Sequence, residues 1–406
     1  MKNSYYLKTF VSVLFCLIAV TTNAQSSQKV SIPNVSLQPI SYSEYIKEVD
    51  ANSGALNAKK LAVETSVAWQ GPMSMSNINP SFTYSRGAYY GQTPYSPYVS
   101  PGSNTYSLSG TIEGWGKRSA RKEFAASEVD KNSAELTSLA RSIQGDATFS
   151  YMDTLRFKLL WLSYQRAIGA LENIGDRTLK NEYLGYQGNI ANDLQFYALG
   201  MSTFIGRSSS DPLEPTGDLN SIKPQSFNLK ELVANAMSQR ADILAMNQSI
   251  NSANANLELT KKNRNIDLSP SVWMSSTPSY VSSGTQYGAT TAYGFSVSVP
   301  IPINLVYDAD VLQAANNKSS QELYLRDLKA RVVTEVNQAF LQYQFAKRKF
   351  ESAKTAYENI NKKPTDKSGI ATLRDREGEY IDAKVNHAKA LFYLQRVSGN
   401  YDLPII

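Results

Sequence analysis

The side chains able to do acid–base, nucleophilic or metal chemistry are few in this sequence, and they form no recognisable catalytic set. The chain has one histidine, His387, and one cysteine, Cys16. It contains no phosphate-binding glycine loop, dinucleotide fingerprint, zinc-protease motif or nucleophile elbow. Its carboxylates lie at spacings typical of solvated helix faces, so no acid and base can be assigned. The sequence therefore argues against an enzyme and predicts no cofactor and no metal site.

A pair of duplicated segments is more informative. Asn79-Pro80-Ser81-Phe82 is similar to Ser269-Pro270-Ser271-Val272, and the segment GDRTLKN from Gly175 is similar to GIATLRD from Gly369. A repeat of about 190 residues is too long for a solenoid unit and indicates a duplicated half-molecule. We therefore predict a first repeat over residues 25–223 and a second over residues 224–406, with both halves lining one passage or site.

The N-terminus has the pattern of a secretory signal peptide over residues 1–24. Lys2 and Lys8 precede the apolar run Phe10–Val20, and a small-residue cleavage site follows. The run is too short to span a bilayer, which disfavours a membrane anchor. Cys16 lies inside it, so the mature chain would have no cysteine. The net charge of +6 is mild and the charges are mixed, which excludes a basic stripe for nucleic acid.

Each half carries a predicted β-hairpin. In the first half, strands are predicted at Phe82–Tyr84 and at Thr105–Glu113, with a proline-containing loop between them. In the second half, a strand ending near Pro300 pairs with one near Ser271–Tyr280. Its apolar residues alternate with small or polar ones, and they are Tyr293, Phe295, Val297, Val299 and Ile301. This alternation is typical of a membrane barrel strand with lipid on one side and water on the other. A half-buried hairpin in a soluble sandwich is the alternative.

A helical pattern runs from about Ser43 to Trp69, and helical patterns fill most of the remaining chain, apart from a linker predicted over Arg207–Asn228. A helix over about Tyr307–Asn359 would be about 80 Å long, which suits a conduit or a spacer. It carries one heptad seam, at Val332, Val336, Ala339, Tyr343, Ala346, Phe350, Ala353 and Tyr357. The last helix carries two adjacent seams, one through Tyr380, Ala383, His387, Ala390, Leu394 and Val397, the other through Ile381, Val385, Ala388 and Phe392. Two seams indicate neighbours on both sides, as in a stave of a closed helical ring, and His387 is predicted to be a packed helix residue. A soluble bundle is the alternative.

Four strands per chain cannot close a barrel, since the smallest outer-membrane barrels have about eight. Open edges in lipid would leave backbone groups unpaired at several kcal/mol each. Several chains must therefore share one barrel, and three chains would supply twelve strands.

These features together resemble the TolC-like outer membrane efflux protein family. The resemblance rests on Arg240-Ala241-Asp242, the Ala- and Asn-rich helix Ala245–Leu259, and the hairpin from Pro270-Ser271 to the segment YGFSVSVP at Tyr293. In the first half it rests on Gly116-Lys117-Arg118 before an Ala-containing helix. Departures are the long Tyr-rich loop near residues 84–106 and the added stretch Lys362–Asp366, where Pro364 should interrupt the helix.

The resemblance implies a mostly α-helical chain with a β-barrel portion. Three chains form a 12-stranded outer-membrane β-barrel, four strands from each, continued into a long periplasmic α-helical barrel. It implies localisation in the cell outer membrane, extending into the periplasm and contacting outer-membrane lipid. The partners it implies are a periplasmic adaptor protein and an inner-membrane pump of the resistance-nodulation-division or ABC type. The function would be passive conduction in efflux or type I secretion. Alternatives are a periplasmic adaptor and a secreted coiled-coil structural protein.

Gly175 and Gly369, which begin the two similar segments and are called the glycine marks below, are predicted to be the periplasmic tips of helical hairpins. Glycine is suited to this place because it tolerates the positive φ of a turn. By the resemblance, the adaptor-docking tips would comprise Gly175, Thr178, Leu179, Gly369, Thr372 and Leu373. The resemblance also implies a periplasmic gate at an acidic position six residues past each glycine. That position is Asp375 in the second half and Asn181 in the first, with Arg374 and Arg376 flanking Asp375 and able to neutralise it between subunits.

Overall fold

The structure is a computed structural model that describes residues 38–76, 80–87, 90–93, 96–99, 102–207, 212–217, 219–282, 284–300 and 304–401. The predicted signal peptide, including Cys16, lies outside the described residues. No helix in these ranges is long and apolar enough to cross a membrane.

Helices make up most of the described chain, and strands form short pairs and one larger sheet. The helices are α1 (Tyr42–Asn52), α2 (Gly54–Ser74), α3 (Lys117–Ile174), α4 (Arg177–Phe204), α5 (Leu229–Gln239), α6 (Ala241–Lys262), α7 (Asn304–Glu358) and α8 (Lys367–Val397). The strands are β1 (Gln38–Ile40), β2 (Ser81–Gly87), β3 (Tyr90–Thr93), β4 (Ser96–Val99), β5 (Ser103–Ser109), β6 (Leu213–Pro215), β7 (Ser269–Thr277), β8 (Tyr280–Ser282), β9 (Thr285–Tyr287) and β10 (Thr290–Ser298).

The element order repeats along the chain. A short helix, a longer helix, two sheet strands, a very long helix and a half-length helix occur as α1, α2, β2, β5, α3 and α4. They occur again as α5, α6, β7, β10, α7 and α8. A duplicated half-molecule would produce this order, and the boundaries of the two repeats at residues 25, 224 and 406 stay a prediction.

The helices form one row of staves. The 58 residues of α3 and the 55 of α7 correspond to about 87 and 82 Å at about 1.5 Å per residue. Helix α3 packs on α2 and α4 at one side and on α6 and α8 at the other, while α7 packs on α6 and α8. The row is therefore α2 with α4, then α3, then α6 with α8, then α7. Its two outer edges are α2 with α4 at one end and α7 at the other.

The predicted seams face the neighbouring helices. In α7 the seam positions from Val332 to Phe350 are buried, and Ala353 and Tyr357 are half-buried. In α8 both seams are largely buried, since this helix lies between α7 and α3. The prediction that α8 has a neighbour on each side is confirmed.

The four sheet strands form one antiparallel sheet in the order β10-β7-β5-β2. Its register places apolar residues in rows on one face. One row is Phe82, Leu108, Val272 and Phe295, and the next is Tyr84, Tyr106, Met274 and Tyr293. Ile112 and Leu268 continue the same face through an isolated bridge. Most of these side chains are exposed, including Phe82, Val272 and Phe295, so this face has no partner in the part of the chain that the structure describes.

The opposite face of the sheet carries small and polar residues, with Trp273 as the exception. One row consists of Ser81, Ser109, Ser271 and Ser296, and a second consists of Thr83, Ser107, Trp273 and Gly294. Hydroxyl pairs bridge the first row, with 2.7 Å between Ser81 and Ser109 and 2.7 Å between Ser271 and Ser296. Any Cβ at Gly294 would collide with the Trp273 indole, so glycine is needed there for the cross-strand approach.

Three sequence expectations are corrected by the fold. The predicted helix over residues 43–69 is two helices, because Ser53 takes an extended conformation between α1 and α2. The proline-containing loop of the first hairpin forms a small hairpin of its own, β3 with β4. Pro97 is tolerated in it because a two-stranded pair leaves an edge where no N–H is needed.

The predicted linker is also more than a spacer. Its strand β6 pairs in parallel with β1, and Leu213, Leu219 and Ile222 are buried in the main core together with Tyr45 and Tyr151. The Tyr45 hydroxyl donates to the carbonyl of Met201 at 3.2 Å. The linker is therefore part of the core in the middle of the helical row.

A column of stacked rings joins α7 and α8 from this core toward the hairpin end. His387 stacks on Phe350 with a centroid distance of 5.0 Å and lies 5.6 Å from the Tyr343 ring. Tyr380 continues the column between Phe350 at 5.9 Å and Tyr357 at 5.1 Å. His387 is 1% exposed, and its Nε2 has no hydrogen-bond partner within the described part of the chain. It packs as predicted.

We expect His387 to make folding pH-dependent. Burial without a partner lowers the pKa of its imidazole, so the unfolded chain binds a proton more readily than the folded chain. Stability is then present above the ordinary pKa of about 6.5 and is lost as the pH falls below it. His387→Phe keeps the stacked ring and removes the proton site. Guanidinium unfolding at pH 7.5 and pH 5.5, followed by circular dichroism, should show a smaller loss for the variant. Equal losses would contradict this, and His387 is the only histidine in the chain, so no other imidazole contributes.

Candidate docking tips and gate

The first hairpin, α3 to α4, turns within two residues. Helix α3 ends at Ile174, and the φ of 74° at the next residue, Gly175, is the left-handed conformation that favours glycine. Asp176 then caps α4, because its carboxylate accepts a hydrogen bond from the backbone N–H of Leu179 at 2.9 Å. This bond, followed by the nearby charge of Lys367, lowers the pKa of Asp176. The prediction of Gly175 as a turn residue agrees with this geometry.

The second hairpin, α7 to α8, has a longer connection over residues 359–366. Pro364 lies in it, and helix α7 ends before it, as predicted. Asp366 starts α8 by accepting from the backbone N–H of Gly369 at 3.1 Å. Gly369 therefore lies in the first turn of α8, and its prediction as the turn residue is wrong. The cap at Asp366 begins the helix three residues earlier, so the two glycine marks are not structurally equivalent.

The two hairpin ends are packed together. Lys367 at the start of α8 pairs with Asp176 at the start of α4, with 3.2 Å between Nζ and Oδ2. Beneath this pair lies a small apolar cluster formed by Tyr164, Ala167, Ile168, Leu171, Leu179, Tyr183 and Ile370. The hairpins therefore share one core at their ends rather than projecting separately.

This packing divides the predicted docking residues. Thr178 and Thr372 are exposed, and Leu373 is half-buried. Leu179 is 9% exposed and belongs to the small apolar cluster just described, which we call the tip cluster. The prediction that Leu179 presents an apolar contact surface is wrong for this chain, because its side chain is already used to hold α4 against α3. The exposed apolar residue at this end is Ile174, the last residue of α3, which is 39% exposed.

The predicted gate residues lie on two different hairpins. The Asp375 side chain is 67% exposed, and its Oδ1 is 2.9 Å from Arg374 Nη1. Arg376 pairs instead with Glu379 at 2.8 Å. Asn181 is exposed on α4. Each arginine thus has a partner inside its own chain, and the Asp375 carboxylate is already partly compensated.

Arg374 is held in place by more than Asp375. Its guanidinium lies 3.7 Å above the Tyr164 ring, and its Nε is buried with no hydrogen-bond partner among the described residues. Burial raises the pKa of the Tyr164 phenol, and the nearby positive charge of Arg374 opposes this effect. The arginine is therefore fixed between the tip cluster and the exposed Asp375.

Sequence reasoning did not find Asp176, Asp366 and Lys367. An aspartate three residues before the N–H that it caps is a recognisable helix-start signal, and it marks the start of both α4 and α8. The pairing of Lys367 with Asp176 had no sequence signal, because the two residues come from different hairpins. In the described ranges no group of histidine, cysteine, aspartate and glutamate could hold a metal ion.

We expect the buried Leu179 and the exposed Ile174 to respond differently to truncation. Leu179→Ala leaves a cavity in the tip cluster and should destabilise the hairpin end by about 2–5 kcal/mol. Ile174→Ala removes a largely solvated side chain and should have little effect. Amide hydrogen exchange of residues 164–183 reports this local stability. Equal protection in both variants would contradict the burial of Leu179.

Comparison with solved structures places this geometry in a known fold. No protein-family model and no curated protein sequence matches the chain. A membrane protein from Pseudomonas aeruginosa is similar in structure, with 16% identity, a TM-score of 0.65, and coverage of 88% of this chain and 92% of that one. The Campylobacter jejuni CmeC outer membrane channel is also similar, with 14% identity, a TM-score of 0.61, and coverage of 88% of this chain and 85% of that one. The open state of the Neisseria gonorrhoeae MtrE outer membrane channel is similar with 15% identity, a TM-score of 0.60, and coverage of 88% of each chain. The described part of the chain therefore has the fold of these solved structures, which agrees with the fold that the resemblance to the TolC-like outer membrane efflux proteins implied.

Proposed function

We propose that this protein is the outer-membrane channel of an efflux or type I secretion system. Three chains form one 12-stranded β-barrel that continues into a periplasmic helical barrel and conducts solutes passively to the exterior. The observation that carries the proposal is the four-stranded sheet, which has one exposed apolar face, one mostly small and polar face, and two edges that are unpaired within the described residues. The structural likeness to outer membrane channels supports it.

The two faces of the sheet suit a wall between lipid and water. The apolar rows from Leu268 to Met274 extend over about 20 Å at about 3.4 Å per residue, close to the apolar band of about 25 Å in outer-membrane barrels. The serine and threonine rows would face the lumen. In lipid, the exposed Phe82, Phe295 and Val272 would be favourably solvated, whereas in water they would form an extended apolar patch.

The two edges of the sheet are continuous with the two edges of the helical row. Edge strand β2 follows α2, and edge strand β10 precedes α7. Both helical edges carry exposed apolar side chains. On α2 and α4 these are Leu61, Val67, Trp69, Leu184, Tyr186 and Phe196, and on α7 they are Leu312, Leu323, Tyr324, Leu341 and Phe345. One edge of each chain can therefore cover the opposite edge of the next.

Such a contact is heterologous, so it generates a closed ring when the rotation between copies closes. Closure supplies partners for the N–H and C=O groups of β2 and β10, which otherwise cost several kcal/mol each in lipid. Three copies give twelve strands, an even number above the minimum for outer-membrane barrels. A homotrimer in the outer membrane, contacting lipid and extending into the periplasm, is the assembly we propose.

The hairpin ends would lie at the periplasmic mouth. There they would meet a periplasmic adaptor protein and, through it, an inner-membrane pump of the resistance-nodulation-division or ABC type. Gly175, Thr178 and Thr372 remain candidate docking residues because they are exposed at this end. Leu373 and Gly369 would contribute from the half-buried side of α8, and Asp375 and Asn181 would line the mouth.

We expect three chains per detergent-solubilised particle by native mass spectrometry and a defined conductance in planar bilayers. Phe345 is 64% exposed on α7. Phe345→Glu places a charge in the proposed interface and should abolish both the trimer and the conductance. Gln344→Glu adds the same charge at an adjacent exposed polar residue and should retain both. A stable wild-type monomer, or recovery of the protein from the soluble periplasm, would overturn the proposal.

A separate prediction concerns the gate. Threefold symmetry would bring three Asp375 carboxylates around one axis, where a ring of negative charge favours cations. Asp375→Ala should lower the cation preference measured by reversal potentials in a salt gradient. Asn181→Asp adds a carboxylate at the matching position of the first half and should raise the preference. If neither variant changes selectivity or conductance, the two positions do not form a gate.

A further inference from the structure

A cleft lies at the hairpin end between α3, the connection from α7 to α8, and the first turns of α8. We call it the tip cleft, with a volume of about 260 Å³. Its basic lining residues are Arg166, Lys362, Lys363 and Arg374. One carboxylate, Glu377, also lines it. The cations outnumber the carboxylates even when the exposed Asp375 beside Arg374 is counted, so the cleft is positively charged.

The single carboxylate in the cleft is already occupied. Glu377 accepts from the Ser163 hydroxyl at 2.6 Å and from Arg166 at 2.6 Å. Lys362 lies over the Tyr357 ring with its Nζ 3.0 Å from the centroid. Lys363 is exposed at the rim. Glu377 is thus paired with Arg166, and within the described residues neither Lys362 nor Lys363 forms a salt bridge with a carboxylate.

The floor of the cleft is apolar. Ala167 and Ala170 of α3 face Ile370 and Leu373 of α8, and Pro364 closes one side. The volume is below the range of about 300–1,000 Å³ for sites that enclose drug-sized ligands. Its size and its division into a basic rim and an apolar floor suit one or two protein side chains.

We propose that the tip cleft binds an acidic segment of a partner protein, with a carboxylate held by Lys362, Lys363 and Arg374 and an adjacent apolar side chain on the floor. Charge complementarity favours this occupant over a basic one. Arg374 suits the role because stacking on Tyr164 fixes its guanidinium, which has further N–H donors besides the Nη1 that pairs with Asp375, so little conformational entropy is lost on pairing. The inference rests on the proposed function, since it gives the recognition chemistry of the protein that docks at the channel's hairpin ends.

The basic connection that lines the cleft belongs to the α7–α8 hairpin. The connection over residues 359–366 supplies Lys362, Lys363 and Pro364, whereas the first hairpin turns through Gly175 and Asp176. The two hairpin ends of one chain therefore offer unlike surfaces. The lysines that would hold an acidic segment come from the α7–α8 hairpin, and α3 of the first hairpin supplies Arg166 and part of the apolar floor.

The test uses the purified full-length protein and a fluorescein-labelled peptide of alternating glutamate and leucine, followed by anisotropy. We expect binding that weakens at least about tenfold in Lys362→Glu/Lys363→Glu, the effect of losing about one charge-assisted hydrogen bond. The matched control Lys223→Glu/Lys230→Glu reverses two charges on exposed residues away from the hairpin ends and should bind as the wild type does. Peptides with glutamine for glutamate, or with serine for leucine, should bind at least about tenfold more weakly.

Several results would overturn the inference. These are no binding of the glutamate–leucine peptide, equal binding of the glutamine peptide, and equal weakening in both double variants. Displacement of the peptide by low-millimolar inorganic phosphate or acetate would identify a small-anion site instead and would also reject it. Trimer mass and bilayer conductance are measured on the same preparations. A conducting trimer that does not bind the peptide rejects the cleft alone, and a non-conducting monomer that binds it rejects the channel alone.

Discussion

The unpaired edges of the four-stranded sheet are the constraint on which the rest of this structure depends. Strands β2 and β10 each present a row of backbone donors and acceptors, and a protein cannot leave such rows in lipid without a large energetic cost. The same two edges continue into α2 with α4 and into α7, whose outer faces carry residues such as Trp69 and Phe345. In the proposed assembly, one association would satisfy the backbone groups of the sheet edges and bury the apolar edges of the helices. That association would account for the large apolar surface that is exposed in a single chain.

The main buried core lies in the middle of the helical row. Tyr45 and Tyr151 are fully buried there, beneath the parallel pair β1 and β6. From this core, the ring column through His387 and Phe350 runs along α7 and α8 toward the hairpin end. Interlocked rings on facing helices resist sliding, because every ring must leave its contacts at once. Motion of the α7–α8 hairpin as a unit therefore costs less than motion of one helix past the other.

The two hairpin ends differ in structure although their sequences are similar. Both hairpins start their second helix with an aspartate cap, but one turns through a left-handed glycine and the other through a longer, basic connection. The pair between Asp176 and Lys367 ties the unlike ends together. Residues at matching sequence positions consequently have different environments, with Leu179 in a core and Leu373 at the side of a cleft. Symmetry of sequence is thus a poor guide to symmetry of contact at this end of the chain.

The sequence by itself determined the periodic features: the alternating strands, the seams of α7 and α8, the packed state of His387 and the interruption of the helix near Pro364. These follow from local periodicity and backbone stereochemistry, which are readable along one segment of chain. Only the tertiary structure decided that the linker carries a core strand, that Gly369 lies inside a helix and that Leu179 is buried. It also decided that Glu377 accepts hydrogen bonds from Ser163 and Arg166. Each of these outcomes depends on contacts between segments distant in sequence, and no local pattern specifies which distant segment fills a given space.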